Sequence, residues 1–112
     1  MSNLRLISKT NVISNVSTVS MTDVFSADFD VYQVVITKMT ASADDTMRFT
    51  YINSSGSELT SSYYEYAQLI MYSTTGFGTD KNTGQTSTPL GGYGIQTDDE
   101  GMGTVMTIFN PF

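Results

Sequence analysis

The stretch Val31-Tyr32-Gln33-Val34-Val35-Ile36-Thr37-Lys38-Met39 decides the fold class, because it is the strongest β-strand pattern in the chain. Its three consecutive β-branched residues, 34–36, favour extended structure and are typical of a central strand that is covered on both faces. Outward from this stretch the apolar residues repeat with a period of two, and no segment has the 3.6-residue period of an amphipathic helix. The sequence therefore predicts an all-β protein.

Two strands are predicted before this stretch. Leu4 to Ser8 and Val16 to Asp23 both alternate between their two faces. The segment Phe25 to Asp30 then forms a compact connection, in which Ser and Asp side chains supply local turn hydrogen bonds. Its two aromatic residues are predicted to close the end of the core.

The chain after Met39 is divided by turn signals into shorter segments. Tyr63 to Tyr72 is long enough for a helix, but a strand is favoured because Tyr64, Tyr66 and Tyr72 would share one face. Pro89 restricts its own segment to an edge or a bulge. In chain order we predict a loop over 41–45, a strand over 47–52, a turn over 53–57, a strand over 63–72, a loop over 73–82, a weak strand over 86–90, an acidic turn over 97–101 and a strand over 104–109.

Seven or eight short strands at this spacing predict a single antiparallel β-sandwich over residues 1–112, with a jelly-roll-like arrangement. The period-two pattern places five residues in its core, namely Val34, Ile36, Phe49, Leu69 and Phe109.

The sandwich is expected to be incomplete at its C-terminus. Asn110-Pro111 normally begins a turn into another element, yet here it follows a core-type strand directly and only Phe112 comes after it. Either residues 1–112 are the N-terminal part of a longer sandwich, or a partner chain supplies the missing edge. We expect this edge to be covered in a symmetric homo-oligomer such as a trimer, through Thr104, Val105, Met106, Thr107, Ile108 and Phe109.

Composition excludes several classes of partner. Eleven acidic residues oppose five basic ones, for a net charge of −6, and the basic residues are scattered, which argues against nucleic acid. No apolar run is long enough for a membrane-spanning helix. Only 14% of residues are charged, which is low for a free globular protein and is typical of a surface that lies against neighbours.

The composition and the short alternating strands are typical of an exposed coat or adhesion protein, but the chain lacks the sequence features of an exported protein. The N-terminus has no unbroken apolar h-region and no A-x-A-like cleavage site, and the chain has no cysteine for disulfides. A protein that is made and assembled in a host cytoplasm and exposed on a released particle reconciles these features. The expected location is therefore a virion.

No catalytic, cofactor-binding or metal-binding residue is predicted. The absence of histidine and cysteine excludes Ser-His-Asp triads, thiol nucleophiles and ordinary zinc sites. The carboxylate groups at 44–45 and 98–100 could in principle hydrolyse glycosides or hold calcium. Solvated turn acids are the favoured interpretation of both, because they lie among Gly, Ser and Thr in predicted loops.

Tyrosines raise the question of sugar binding, since aromatic faces stack on pyranose rings. Packing in the core or at a subunit interface is the favoured interpretation for those in strands. The candidate contacts to a glycan or partner are Tyr93, Tyr64, Tyr66, Asp98 and Asp99.

Three stretches together carry a resemblance to a known family. They are Leu6 to Val19, Thr22 to Tyr32, and the ending Thr107-Ile108-Phe109-Asn110-Pro111-Phe112. They resemble small virion structural proteins and fibre-tip domains of tailed bacteriophages, particularly phages of marine cyanobacteria and other aquatic hosts. The resemblance implies a jelly-roll-like sandwich and membership of a virion, and further strands normally follow the Asn-Pro-Phe stretch in that family.

The predicted function is a non-enzymatic virion surface protein, a capsid decoration or fibre subunit. It would bind itself and other virion proteins, with a host-surface glycan as an additional partner. A tail-fibre receptor-binding domain is the neighbouring alternative. Two further alternatives are a carbohydrate-binding module or adhesin domain, and a glycan depolymerase.

Overall fold

The computed structural model describes residues 4–74, 76–90 and 101–111, and within these ranges the protein is all-β. The strands in these ranges are β1 (Val31–Met39), β2 (Arg48–Phe49), β3 (Tyr64–Met71), β4 (Phe77–Gln85), β5 (Thr88–Pro89) and β6 (Met102–Phe109). None of the described residues forms a helix that could cross a membrane.

The strands form three two-stranded sheets, in which β1 pairs with β6, β2 with β5 and β3 with β4. The β2–β5 and β3–β4 pairs are antiparallel. In the β1–β6 pair, Asn110 donates its N–H to the carbonyl of Asp30 over 2.8 Å. At the other end, a Cβ built on Gly103 would lie 3.2 Å from the carbonyl oxygens of Ile36 and Thr37. This pair is therefore antiparallel as well, and the predicted fold class of antiparallel all-β is confirmed.

The chain divides into two compact units, one formed by residues 1–35 and 105–112 and the other by residues 36–104. In the first unit the core is built around Tyr32, whose ring meets Phe25 edge-to-face at 4.9 Å and Phe29 at 6.1 Å between centroids. The hydroxyl of Tyr32 accepts from the N–H of Ser26 and donates to its carbonyl, both at 2.8 Å. Ile108 on β6 is also buried in this unit. The two aromatic residues of the predicted connection thus contribute to a core, as expected.

The second unit is built around Tyr64. Its ring lies parallel to that of Tyr51 at 6.5 Å, and Phe49 meets Tyr51 edge-to-face at 4.8 Å. The Tyr64 hydroxyl accepts from the N–H of Tyr51 and donates to the carbonyl of Leu59, each at 2.8 Å. One buried tyrosine therefore fastens the start of a strand to the loop before it, as Tyr32 does in the first unit.

The predicted turn over 53–57 is confirmed. The Asn53 side-chain oxygen accepts from the N–H groups of Ser55 at 3.0 Å and Ser57 at 2.9 Å, while Gly56 adopts a φ of 80°. Asn supplies the local acceptor and glycine supplies the left-handed conformation, so this turn is encoded by its own residues.

Four predictions about secondary structure are wrong. Leu4 to Ser8 and Val16 to Asp23 form no strand, because their alternating residues have no described strand to pair with. The predicted loop over 73–82 instead contains most of β4, which is a strand because it pairs with β3. The predicted strand over 47–52 shortens to β2 and an isolated bridge at Ile52.

The predicted burial is correct only in part. Val34, Ile36 and Phe49 are half-buried, but Leu69 is 66% exposed and Phe109 is 70% exposed. β1 is also not covered on both faces, since Val35 is more than half exposed. Along β1, β3 and β6 burial alternates, so residues on one side of each strand remain in solvent.

Candidate interaction surfaces

Exposed apolar side chains are the dominant feature of the described surface. Only three apolar residues are buried there, Tyr32, Tyr64 and Ile108, whereas seventeen large apolar side chains are exposed. Scattered apolar residues are normal on a protein surface, but contiguous patches mark interaction sites. Fifteen of the seventeen group into three surfaces, one on each of two sheets and one along the N-terminal segment, and Tyr63 and Tyr72 lie outside these groups.

The first surface is the outward side of the β1–β6 ladder. The hydrogen bond between Asn110 and Asp30 places Val31 opposite Phe109, and the same register places Val35 opposite Val105. All four of these apolar side chains are more than half exposed. We call these four residues the outer ladder face; Gln33 and Thr107 lie between the two pairs, so the surface carries no charge.

The second surface lies near the tip of the β3–β4 hairpin. Met71 is paired with Phe77 and Leu69 with Thr79, and the three apolar members of these pairs are at least 66% exposed. Lys81 lies on the same side, paired with Ala67. We call Leu69, Met71 and Phe77 the hairpin face.

The third surface is the N-terminal arm, residues 4–22, which has no secondary structure. No backbone–backbone hydrogen bond joins it to another described residue. Its start, at Arg5 to Ile7, lies beside the connection, where both segments line a shallow depression. The apolar side chains of the arm are nevertheless exposed, and Ile13 reaches 96%. The arm therefore contributes almost nothing to the core of its own chain.

A polar cluster lies on the other side of the β3–β4 hairpin. The Tyr66 hydroxyl donates to Oδ2 of Asp80 at 3.1 Å, and Nε2 of Gln68 donates to the same oxygen at 3.2 Å. Loss of solvent around the phenol, followed by the hydrogen bond and charge of Asp80, raises the pKa of Tyr66, and a hydrogen bond with Asn82 opposes this rise. An aromatic ring bordered by a carboxylate and two amides can stack on a sugar and bond to its hydroxyl groups.

The candidate contact residues are not gathered in one place by the described structure. Tyr66 is half-buried in the polar cluster. Tyr64 is buried, and its hydroxyl is occupied by two backbone groups, so we leave it out of any ligand contact. Tyr93, Asp98 and Asp99 lie outside the described residues, and they remain predictions.

The predicted oligomer edge, 104–109, belongs to β6 and contributes two residues to the outer ladder face. The arm and the hairpin face were not predicted as surfaces, since residues 4–8 and 16–23 of the arm and Leu69 and Met71 were assigned to strands and Phe77 to a loop. Sequence reasoning also overlooked Asp80, which it placed in a loop. Leu69 and Met71 are odd-numbered and Tyr66 is even-numbered, so in a strand they lie on opposite sides. This spacing was the signal that could have identified the hairpin face.

The described residues bring together few groups that could carry out chemistry. They contain no cluster of three or more carboxylates of the kind that holds a metal ion. Asp45 accepts a hydrogen bond from the N–H of its neighbour Thr46 at 2.7 Å, which is a local turn contact. Among these residues no buried side-chain polar atom lacks a hydrogen-bond partner.

Comparison of the chain with protein-family profiles, with curated proteins and with solved structures gave no match.

Proposed function

We propose that this chain is a non-enzymatic subunit of the surface of a tailed-bacteriophage particle, a capsid decoration or fibre subunit that binds copies of itself and other virion proteins. One observation carries the proposal. Among the described residues three apolar side chains are buried and seventeen large ones are exposed, which leaves little burial to offset a conformational entropy cost of about 1–2 kcal/mol per residue. A chain with this balance gains its remaining burial from its neighbours.

The composition and the family resemblance support the same proposal. Ser and Thr replace charges on much of the surface, and the apolar surfaces of the described residues are nearly free of ionisable groups. Charged residues are depleted in the centre of stable interfaces, where their desolvation is costly. The stretches Leu6 to Val19, Thr22 to Tyr32 and Thr107 to Phe112 resemble small virion and fibre-tip proteins.

We also propose that the small sheets belong to a jelly-roll-like sandwich that is completed on assembly. The hairpin face is one uncovered side of an antiparallel strand pair. Sandwiches cover such sides by packing a second sheet about 10 Å away.

The experiment that tests this function is localisation on particles. Antibodies against the recombinant chain would be used for gold labelling of gradient-purified particles of the encoding phage, with mass spectrometry of the same fractions. We expect regular labelling of the capsid or the tail, and its position separates a decoration subunit from a tail-fibre domain. A chain that is found only in the lysate and never on particles would contradict the proposal.

A second candidate function, glycan binding, is favoured by the polar cluster around Tyr66. This function suits a tail-fibre receptor-binding domain or a carbohydrate-binding module. Each site would be weak, and many copies on one particle would raise the overall affinity. A glycan array with the parent chain and Tyr66→Ala tests it, with Tyr63→Ala as the matched control because Tyr63 is exposed and lies next to β3. Equal binding by all three proteins, or none, would exclude Tyr66 as a contact.

A further inference from the structure

The N-terminal arm and the outer ladder face belong to the same compact unit, and both leave apolar side chains in solvent. Within one chain neither covers the other, since Ile13 is 96% exposed while the four residues of the face are 54–70% exposed. Each surface therefore lacks a partner that the other could provide in a different copy of the chain.

The distribution of charge favours this pairing. The arm carries Arg5 and Lys9 and no acid, for a charge of +2, while three basic and eleven acidic residues elsewhere give −8. In the described part of the first unit, the acids are Asp23, Asp28 and Asp30, and the last of these directly precedes Val31 at one end of the outer ladder face. Copies with a net charge of −6 repel one another as whole molecules, so a basic arm is the segment best suited to approach a second copy.

The remainder of the arm matches the face in polarity. Residues 10–22 contain no ionisable side chain, and neither do the residues of the outer ladder face or the two polar residues between them. The contact would therefore bury no charge, which removes the largest desolvation cost of forming an interface. Nineteen extended residues span up to about 65 Å, so the arm can reach across a neighbouring subunit.

We propose that the N-terminal arm of one copy lies in extended conformation across the outer ladder face of a second copy, with Arg5 and Lys9 directed toward the acidic connection of that copy in place of the connection of their own chain. This exchange is a form of swapping, in which a segment that contributes little to its own chain contributes to the next. It deepens the proposed function, because it identifies the surfaces through which copies associate. The test uses purified chain alone, so its failure leaves the particle-labelling result unaffected.

The absence of cysteine from the chain allows a direct test by disulfide cross-linking. Two single-cysteine variants of the full chain, Ile13→Cys and Val105→Cys, are mixed and oxidised, so any heterodimer must join two copies. A disulfide forms only where the two Cα atoms approach to about 4.4–6.8 Å. The proposal does not fix which residue of the arm lies opposite which residue of the face. Val16→Cys on the arm and Val35→Cys on the face are therefore tested in the same way. Ser55→Cys, in an exposed turn of the other unit, is the control partner for Ile13→Cys.

We expect at least one arm–face mixture to form heterodimer several-fold faster than the control mixture. Three results would overturn the proposal. In the first, arm–face and control mixtures cross-link equally. In the second, Val105→Cys alone forms homodimers in preference, which means that two faces pair directly. In the third, a chain with both cysteines forms only an internal disulfide and sediments as a monomer.

Sedimentation of two charge variants provides a second readout. Ile13→Asp on the arm and Val105→Asp on the face would each bury an unpaired carboxylate, so we expect each to raise the dissociation constant by at least about tenfold. Circular dichroism of the same samples separates loss of association from loss of folding. Unchanged association in both folded variants would contradict the arm–face contact.

Discussion

The hydroxyl of Tyr32 forms two hydrogen bonds with the backbone of Ser26, accepting from its N–H and donating to its carbonyl, each at 2.8 Å. A single side chain thereby satisfies both backbone groups of one residue in the connection before β1. The ring also lies edge-to-face against Phe25 and Phe29. Tyr32 thus links the first unit's strand to its preceding segment by both apolar and polar contacts.

Removing only this hydroxyl should destabilise the protein. In Tyr32→Phe the ring contacts remain, but a partly buried N–H and a carbonyl lose their partner, which we expect to cost about 1–3 kcal/mol of unfolding free energy. The measurement is urea denaturation at one fixed protein concentration, because the stability of an associating chain depends on concentration.

Tyr63→Phe is the matched control for this change, since its side chain is 71% exposed. We expect it to alter the unfolding free energy by less than about 0.5 kcal/mol. Equal effects of the two substitutions would contradict the assigned role of the Tyr32 hydroxyl.

The polar cluster makes a prediction about the ionisation of Tyr66. Loss of solvent and then Asp80 raise its pKa above the ordinary value of 10.0, so Asp80→Asn should bring that pKa closer to 10 by removing the negative charge. NMR titration of labelled tyrosine rings measures this. Tyr51 is an internal control, because its pKa is raised by burial and by Tyr64 and should not change.

The same shift has a defined effect on stability. Since the folded state holds the neutral phenol more strongly than the unfolded state does, the contribution of Tyr66 is present below a pH of about 10. It is lost as the pH rises through the raised pKa of the folded state. We therefore expect the unfolding free energy of Asp80→Asn to fall less than that of the parent chain over this alkaline range. An identical pH dependence of the two proteins would count against the Tyr66–Asp80 interaction.

The Tyr72 ring makes Gly78 the more restricted of two nearby glycines. A Cβ on Gly78 would lie 2.5 Å from the Tyr72 hydroxyl oxygen and 2.9 Å from Cε2, whereas one on Gly76 would meet Cδ2 at an ordinary 3.5 Å. We expect Gly78→Ala to be less stable than Gly76→Ala by about 1 kcal/mol, because the ring must move. In a Tyr72→Ala background this difference should disappear, and its persistence would show that the ring is not the cause.

Gly56 is required by the conformation of its turn. Its φ of 80° lies in the left-handed region, and nothing lies within 4 Å of a Cβ built there. Gly56→Ala should therefore destabilise the protein by about 1–2 kcal/mol through backbone strain alone. Gly56→Asn should cost less, because Asn tolerates this region. Thermal unfolding of the two variants compares them, and equal losses would indicate a cause other than φ.

Segments whose own residues carry the signal were predicted well from the sequence. β1 was predicted with its observed bounds, β3 and β6 within one or two residues, and the turn over 53–57 through its Asn and Gly. The strands are favoured by β-branched and aromatic residues that repeat with a period of two, and the turn is favoured by residues with a specific backbone role. Both kinds of signal depend only on neighbouring residues in the chain.

β4 could not be predicted from its residues. Its sequence, FGTDKNTGQ, has two glycines, an Asp, a Lys and an Asn, and no apolar alternation. It is a strand because β3 offers it a hydrogen-bonding edge, and the Asp80 side of the polar cluster exists only through this pairing. Conversely, the arm alternates in sequence and yet forms no strand, because alternation creates a face without supplying a partner.

The sequence by itself determined the all-β class, the strongest strands, the absence of histidine and cysteine chemistry, and the acidic, weakly charged character of the surface. These properties depend on local conformational preference and composition. The tertiary structure alone decided which side of each strand is buried, and it left Leu69 and Phe109 in solvent where alternation had placed them in a core. Alternation assigns residues to two opposite faces, but only packing against another element determines which of the two is removed from water.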